Sequence, residues 1–261
     1  PTKDHFSVQA TSDENSFLSQ SYLDGLAQMP EEWQKRYRRG TFDTFSGLVY
    51  PEFTDKFPFI CSEFEIPDDW YKFVGIDHGH TNPTAVLWGA DDEYYERGKR
   101  VDEIAAIIKM KNGKSRIQDY VIDPSTKQDK GNQSGVTIFR EFEENGIYCT
   151  PARNQVMAGI DTVKKYLMVQ PDKKPNLMIF PKCKELRMEL QTYRWKDLRI
   201  GEQRNKPEKP VKRNDHACDS LRYLSAYAYD TPTLRPVNKN KFDYMEFVKQ
   251  RNVKEENWMA V

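Results

Sequence analysis

The chain has 261 residues and carries 40 Lys and Arg against 40 Asp and Glu, so its formal net charge is zero and no global basic field announces a nucleic-acid partner. Hydrophobic residues make up 38% and charged residues 31%, which excludes a membrane-embedded or low-complexity chain and leaves one large domain, or one domain with an appendage. No apolar stretch approaches the length that spans a bilayer, and Pro1-Thr2-Lys3-Asp4 has no signal-peptide pattern. The four cysteines, Cys61, Cys149, Cys183 and Cys218, are scattered without a CxxC pair, so reduced thiols in a cytosolic protein are expected rather than disulfides or a zinc site.

Residues 1–60 read as two helices and an extended connector. Asn15 to Leu18, followed by Tyr22, Leu23 and Leu26, suggests the first helix. Pro30-Glu31-Glu32-Trp33 opens a second, with Pro and acids in its first turn, and Gly40 ends it. From Thr41 to Pro67 the chain is punctuated by Phe, Pro and Gly, packing aromatics without long regular elements. This part is too small for a full core of its own and is expected to pack on the domain C-terminal to it.

From Trp70 the pattern changes to strands, then strands alternating with helices. Tyr71–Ile76 and Thr84–Trp88 are apolar runs flanking a Gly-, Asn- and Pro-rich turn, the signature of a buried antiparallel hairpin. Glu93–Arg97 reads as the stub of a third strand, and Val101–Met110 has a helical period. Asp119–Asp123 is another apolar run ending in Asp. Helices are expected over Val136–Glu144, Met157–Met168 and Glu185–Tyr193, with short strands at Ile147–Thr150 and Leu177–Phe180. A last strong helix starts at Asn214 and runs to about Tyr229, and residues 231–261 read as a Pro-spaced, charged arm. This order is that of an α/β domain, a mixed sheet with an antiparallel hairpin edge and flanking helices. The strands ending in Asp77 and Asp123 can then lie parallel and adjacent, with both carboxylates at the carboxyl-end crevice where such sheets place their sites.

A carboxylate at the end of an apolar run is costly unless it is paired, hydrogen-bonded or bound to a metal. Asp77 could simply cap its turn. A third acid comes from the late helix: Asp215 and Asp219 are four apart and share a face. Asp215 follows the expected cap Asn214 and favours the helix dipole, whereas Asp219 lies one turn in, beside the apolar stripe of Ala217, Leu221, Leu224 and Ala228. Acids from two strand ends and one helix suit a pair of hard divalent cations, Mg²⁺ or Mn²⁺, which take oxygen ligands and activate water against a phosphodiester. His216 reads as an extra ligand, a proton shuttle or a satisfied histidine at a helix start.

Charge is unevenly spread. Residues 1–70 hold 13 Asp and Glu against 6 Lys and Arg, while residues 181–213 hold 11 Lys and Arg against 5 Asp and Glu. Arg194, Lys196, Arg199, Arg204, Lys206, Lys209, Lys212 and Arg213 precede the helix of Asp219, so a loop that grips DNA phosphates is expected there, with Lys127 and Lys130 as another possible path. An ordinary solvated face is the alternative.

Taken together, Gly75-Ile76-Asp77 with Asn82-Pro83-Thr84-Ala85, Val121-Ile122-Asp123-Pro124-Ser125, and Asn214-Asp215-His216-Ala217-Cys218-Asp219-Ser220-Leu221-Arg222-Tyr223-Leu224 resemble the C-terminal nuclease domain of the large terminase subunit of tailed phages. The resemblance covers roughly residues 70–230. It implies a ribonuclease H-like fold and a metal-dependent endonuclease that cuts double-stranded viral DNA during packaging, in the cytoplasm of the infected host cell. It makes Asp77, Asp123 and Asp219 the metal-binding acids, with Asp215 as a further candidate ligand and His216 as a candidate catalytic residue. Residues 1–69 would then be the end of the ATPase domain and its linker, and the ATPase domain, the small terminase subunit and the portal would be partners. The chain departs from the family in having no GxxxxGK[ST] loop and a short Trp88–Tyr95 segment, so either a C-terminal fragment or a separate nuclease is expected. Rival readings are a non-catalytic docking module of the motor, an actin-like or sugar-kinase-type ATPase fragment, built on Gly75 to Thr81, and a transposase or junction resolvase of the same fold.

Overall fold

The computed structural model describes residues 11–27, 34, 38, 47–67, 70–79, 81–128, 136–196 and 209–230. The expected helix at Pro30, the arm 231–261 and the candidate DNA-binding residues Arg199, Arg204, Lys206 and Lys130 lie outside them. Helix α1 is Gln20–Ala27. It begins later than Asn15 because Ser19 is its cap, its hydroxyl accepting the Tyr22 N–H at 3.3 Å.

The described residues form one five-stranded sheet: β1 (Lys72–Asp77), β2 (Thr84–Trp88), β3 (Asp92–Glu96), β4 (Ile117–Ile122) and β5 (Cys149–Pro151), in the order β3-β2-β1-β4-β5. The β1–β2 and β2–β3 pairs are antiparallel, and the β1–β4 and β4–β5 pairs are parallel. The hairpin edge expected from the sequence is therefore present, and β3 pairs with β2 along its full length. A three-residue loop suffices for that because Gly89 takes φ +59°, a left-handed conformation that costs glycine nothing.

Strand periodicity sorts side chains to two cores. Val74, Ile76, Val86, Trp88 and Ile122 face α2 (Val101–Asn112) and α3 (Ile138–Glu144), meeting Ile104, Ile108 and Phe142. Ala85, Leu87 and Val121 face the other way, toward α4 (Val156–Leu167), α5 (Lys184–Thr192) and α6 (His216–Asp230). Val49, Tyr50, Phe53 and Phe59 join this second core, so residues 47–61 pack directly on the sheet domain. Backbone bonds hold the segment there, from Val49 N–H to the Tyr193 carbonyl at 2.8 Å and from Trp195 N–H to the Gly47 carbonyl at 3.0 Å. Leu177–Phe180, expected as a strand, adds no strand to the sheet. Its Ile179 instead bridges Ile60, exchanging bonds with Phe59 and Cys61.

Helix α6 lies close on β1 because Gly75 has no side chain. A Cβ there would stand 2.7 Å from Leu224 Cγ and 2.8 Å from the Ser220 carbonyl oxygen. The helix runs antiparallel to the strand, bringing its first turn to the end of β1, and Tyr227 near its far end to Phe73.

Candidate active site at the strand ends

Asp77 is the last residue of β1, and strand alternation puts it on the Gly75 face, toward α6. Asp123 follows β4 with the same parity as Val121, so it points the same way. Parallel pairing of Ile76 with Ile122 sets the two acids side by side, and the Asp123 N–H donates to the Ile76 carbonyl at 3.2 Å. The Asp123 carboxylate accepts the Ser125 N–H at 2.9 Å and the Ser125 hydroxyl at 2.7 Å, which fixes the short 3-10 turn Pro124–Lys127.

Helix α6 starts at His216, two residues later than expected from Asn214, whose φ is +50°. The Asp215 carbonyl accepts the Asp219 N–H at 2.7 Å, so Asp215 holds the cap position. Its side chain does not do the capping. Glu189 of α5 accepts the Cys218 N–H at 2.9 Å through Oε2 and the Tyr95 hydroxyl at 2.8 Å through Oε1. The Asp215 carboxylate is thereby left to face Lys212, whose Nζ is 3.1 Å from Asp215 Oδ2 and 2.6 Å from Asp219 Oδ2. The other oxygen of Asp219 accepts Nε and Nη2 of Arg222 at 3.2 and 3.1 Å. Arg222 is itself only 2% exposed, wedged against Gly159, with both Nη atoms 3.4 Å from Asn154 Oδ1.

His216 Nδ1 is 2.8 Å from Asp77 Oδ2. With Asp77 ionised, the carboxylate can only accept, so Nδ1 carries the proton. Asp77 is 8% exposed, and burial pushes its pKa from 3.8 up to about 6; the His216 hydrogen bond opposes that rise, and the charges of Asp219 and Asp123 add to it. His216 is raised in turn, chiefly by its hydrogen bond to Asp77. Burial also lifts Glu189 to about 7, against the opposing bonds from Cys218 and Tyr95.

Asp77, Asp123, Asp215, Asp219 and His216 all line one cavity of about 460 Å³, together with Ser125, Lys212, Arg213 and Arg97. The donor chemistry fits a hard divalent cation: four carboxylates face one space, three of them nearly buried, at 8%, 4% and 6% exposure for Asp77, Asp215 and Asp219. A cation there would reverse the rise in the Asp77 pKa. Among the described residues, however, no three His, Cys, Asp or Glu side chains are grouped as a ready-made metal site. Each acid is instead turned to a partner of its own: His216, Ser125, Lys212 or Arg222.

The candidate DNA-binding residues divide. Arg213 lines the cavity and is exposed, while Lys212 is held by the two acids. Arg194, Lys196 and Lys209 are exposed on the strap where Trp195 bridges Pro210. Lys127 lies 4.6 Å over the Phe139 ring. Sequence reasoning missed Glu189, Arg97 and the role of Arg222. Only Arg222 left a local signal, its spacing of three from Asp219.

No family model matches the chain, and no curated protein does. Solved structures do match. The large terminase from a thermophilic bacteriophage aligns with a TM-score of 0.63 at 23% identity, over 84% of this chain and 54% of that one. The complex of the same terminase with ADP aligns at 0.63 and 24% identity, over 82% and 53%. The P22 large terminase nuclease domain aligns at 0.53 and 18% identity, over 75% of this chain and 100% of that one. The chain thus spans about half the length of the thermophilic phage's terminase. Its mixed sheet, flanked by helices, has the α/β, ribonuclease H-like fold of the nuclease domain of phage large terminases.

Proposed function

We propose that this chain is a metal-dependent endonuclease that cuts double-stranded viral DNA during genome packaging, by two-metal hydrolysis of a phosphodiester. The observation that carries this reading is the convergence of Asp77 and Asp123, from adjacent parallel strand ends, with Asp215 and Asp219 of the packed helix on one polar cavity. In this reading Asp77, Asp123 and Asp219 hold two Mg²⁺ or Mn²⁺ ions, with Asp215 as a further ligand. When bound, the ions supply Lewis acidity to the attacking water and to the leaving oxygen. Ser125 and Arg222 keep Asp123 and Asp219 oriented, since each already bonds its carboxylate. His216, tied to Asp77 through Nδ1, keeps Nε2 for proton exchange at the cavity.

Residues 1–69 are taken as the end of the ATPase domain and its linker, 70–230 as the nuclease domain and 231–261 as a C-terminal arm. The ATPase domain of the same motor, the small terminase subunit and the portal are its partners in this reading, and the host cytoplasm its place of action. No described helix is long and apolar enough to cross a membrane.

The test is cleavage of supercoiled plasmid. Nicking or linearisation is expected with Mn²⁺ or Mg²⁺ and none in EDTA, with Asp77→Asn, Asp123→Asn and Asp219→Asn each losing most of it. Equal cutting in EDTA would overturn the reading.

A further inference from the structure

The Lys212 ammonium sits between two carboxylates in the manner of a coordinated ion, 2.6 Å from Asp219 Oδ2 and 3.1 Å from Asp215 Oδ2. The carboxylates are fixed and the lysine is not. Asp215 and Asp219 are 4% and 6% exposed and belong to the cap and first turn of α6, whose start is pinned by Glu189. Arg222, 2% exposed, holds the other oxygen of Asp219. The Lys212 side chain is 61% exposed and comes from the loop before the helix. Asp215 Oδ2 is buried and accepts no aligned hydrogen bond, so its tie to the ammonium is Coulombic.

We propose that Asp215 and Asp219 form a divalent-cation site whose resident cation, in the metal-free protein, is the Lys212 ammonium. The inference rests on the metal-dependent reading above and adds to it a competition: a metal ion enters this pair only as Lys212 leaves. Two buried like charges four residues apart repel each other, and an internal cation relieves that repulsion while no metal is bound. A compact ammonium on a flexible stem suits the role, because the displaced head can return to water or swing to a nearby phosphate oxygen. The competition also accounts for the absence, among the described residues, of a ready-made cluster of metal ligands, since Lys212 already engages two of the four acids.

The experiment is Mn²⁺ binding by the purified chain, followed as loss of the free-ion electron paramagnetic resonance signal, with the metal-induced rise in Tm as a second readout. Lys212→Met removes the charge and keeps the stem; Lys212→Arg keeps the charge. Lys212→Met is expected to bind Mn²⁺ about tenfold more tightly, the equivalent of about 1.4 kcal/mol, and to show the larger Tm rise. Lys212→Arg should stay within about twofold of the parent, a difference of under half a kcal/mol. If the parent binds Mn²⁺ and Lys212→Met binds it no better, the competition is wrong and the metal-dependent reading stands. If neither binds Mn²⁺, both fall together. If Lys212→Met is too unstable to study, an unchanged affinity in the double variant Lys212→Met with Asp215→Asn, relative to Asp215→Asn alone, overturns the proposal, because a competing ammonium would still be missed at Asp219.

Discussion

Glu189 Oε2 accepts the Cys218 N–H at 2.9 Å, so a carboxylate on α5 caps the helix that carries Asp215, His216 and Asp219. A charged acceptor on a helix N-terminus contributes more than a neutral one, and here it is fully buried. The same group takes the Tyr95 hydroxyl at 2.8 Å, linking β3 to the helix start. Glu189→Gln keeps the volume but has one acceptor oxygen for two donors, and its amide must turn toward one of them. The expected result is a loss of about 2 kcal/mol, read as a Tm fall of roughly 4–8 °C. Cleavage should fall as well, through weaker metal binding. An unchanged Tm would show that the cap is not holding the helix.

Gly159 of α4 supports the same acid from behind. A Cβ there would lie 2.4 Å from Arg222 Cγ and 2.8 Å from its Cδ, atoms near the root of a buried side chain that cannot swing away cheaply. Gly159→Ala is therefore expected to push Arg222 off Asp219 or α4 off α6, costing about 1–3 kcal/mol. Gly25→Ala on α1, where nothing stands within 4 Å, is the control and should be neutral or stabilising by up to about 1 kcal/mol. Chemical denaturation of the two variants decides it. Equal stability would mean that the helices absorb the methyl group.

Much of this arrangement was legible in the sequence, and the reason is locality. Period-two apolar runs ending in Asp77 and Asp123 fix both the strands and the face on which each acid emerges, without knowledge of distant residues. The α6 stripe of Ala217, Leu221 and Leu224 likewise declares which side meets the sheet. The contacts of Lys212 and Glu189 were not legible, because both depend on where elements meet. A basic loop reads as phosphate-binding until one of its lysines is found between two acids. Glu189 reads as one more acid on a charged helix until a helix N-terminus is found against it. The start of α6 was misplaced for a related reason: Asn214 has a good capping side chain, but its φ of +50° places it outside the helix.

Three groups make stability of the metal-free protein fall as pH rises. Asp77 and Glu189 titrate at about 6 and about 7 in the folded state, above their ordinary 3.8 and 4.5, so the unfolded chain ionises first and gains on the folded one across roughly pH 4–7. His216 is raised above 6.5 by Asp77, so the stability it contributes is full below that pH and is lost as pH climbs through its folded value. All three have the same sign. Asp55 is lowered by Arg187 and works in the opposite direction below about pH 4, outside this window. In EDTA, Tm at pH 5.5 should exceed Tm at pH 8 by about 5 °C. Divalent metal should raise Tm more at pH 8 than at pH 5.5, because bound metal favours ionised carboxylates. A metal-free Tm that climbs from pH 5.5 to pH 8 would refute the assignment.

DNA contact is expected from the exposed cations at the rim rather than from Lys212. Arg213 and Arg97 line the cavity with the four acids and come from the α6 approach and the residue after β3. Both are exposed, and the described structure gives neither an ion pair, so their charge is available to a phosphate bound over the site. Phosphate contacts release counterions, so affinity falls with salt, with a slope of about 0.9 per contact. Replacing Arg97 and Arg213 together by Ala should weaken duplex binding about equally for unrelated sequences and flatten the salt slope by about two. Tm should stay within about 1 °C, since exposed charges of this kind contribute little to folding. Replacing both by Lys should preserve the slope, because a point charge suffices for counterion release. Binding is measured in EDTA by fluorescence anisotropy on a labelled duplex, which separates it from cleavage. An unchanged slope in the double Ala variant would move the DNA path to the strap of Arg194, Lys196 and Lys209, whose cations are exposed beside the Trp195–Pro210 bridge.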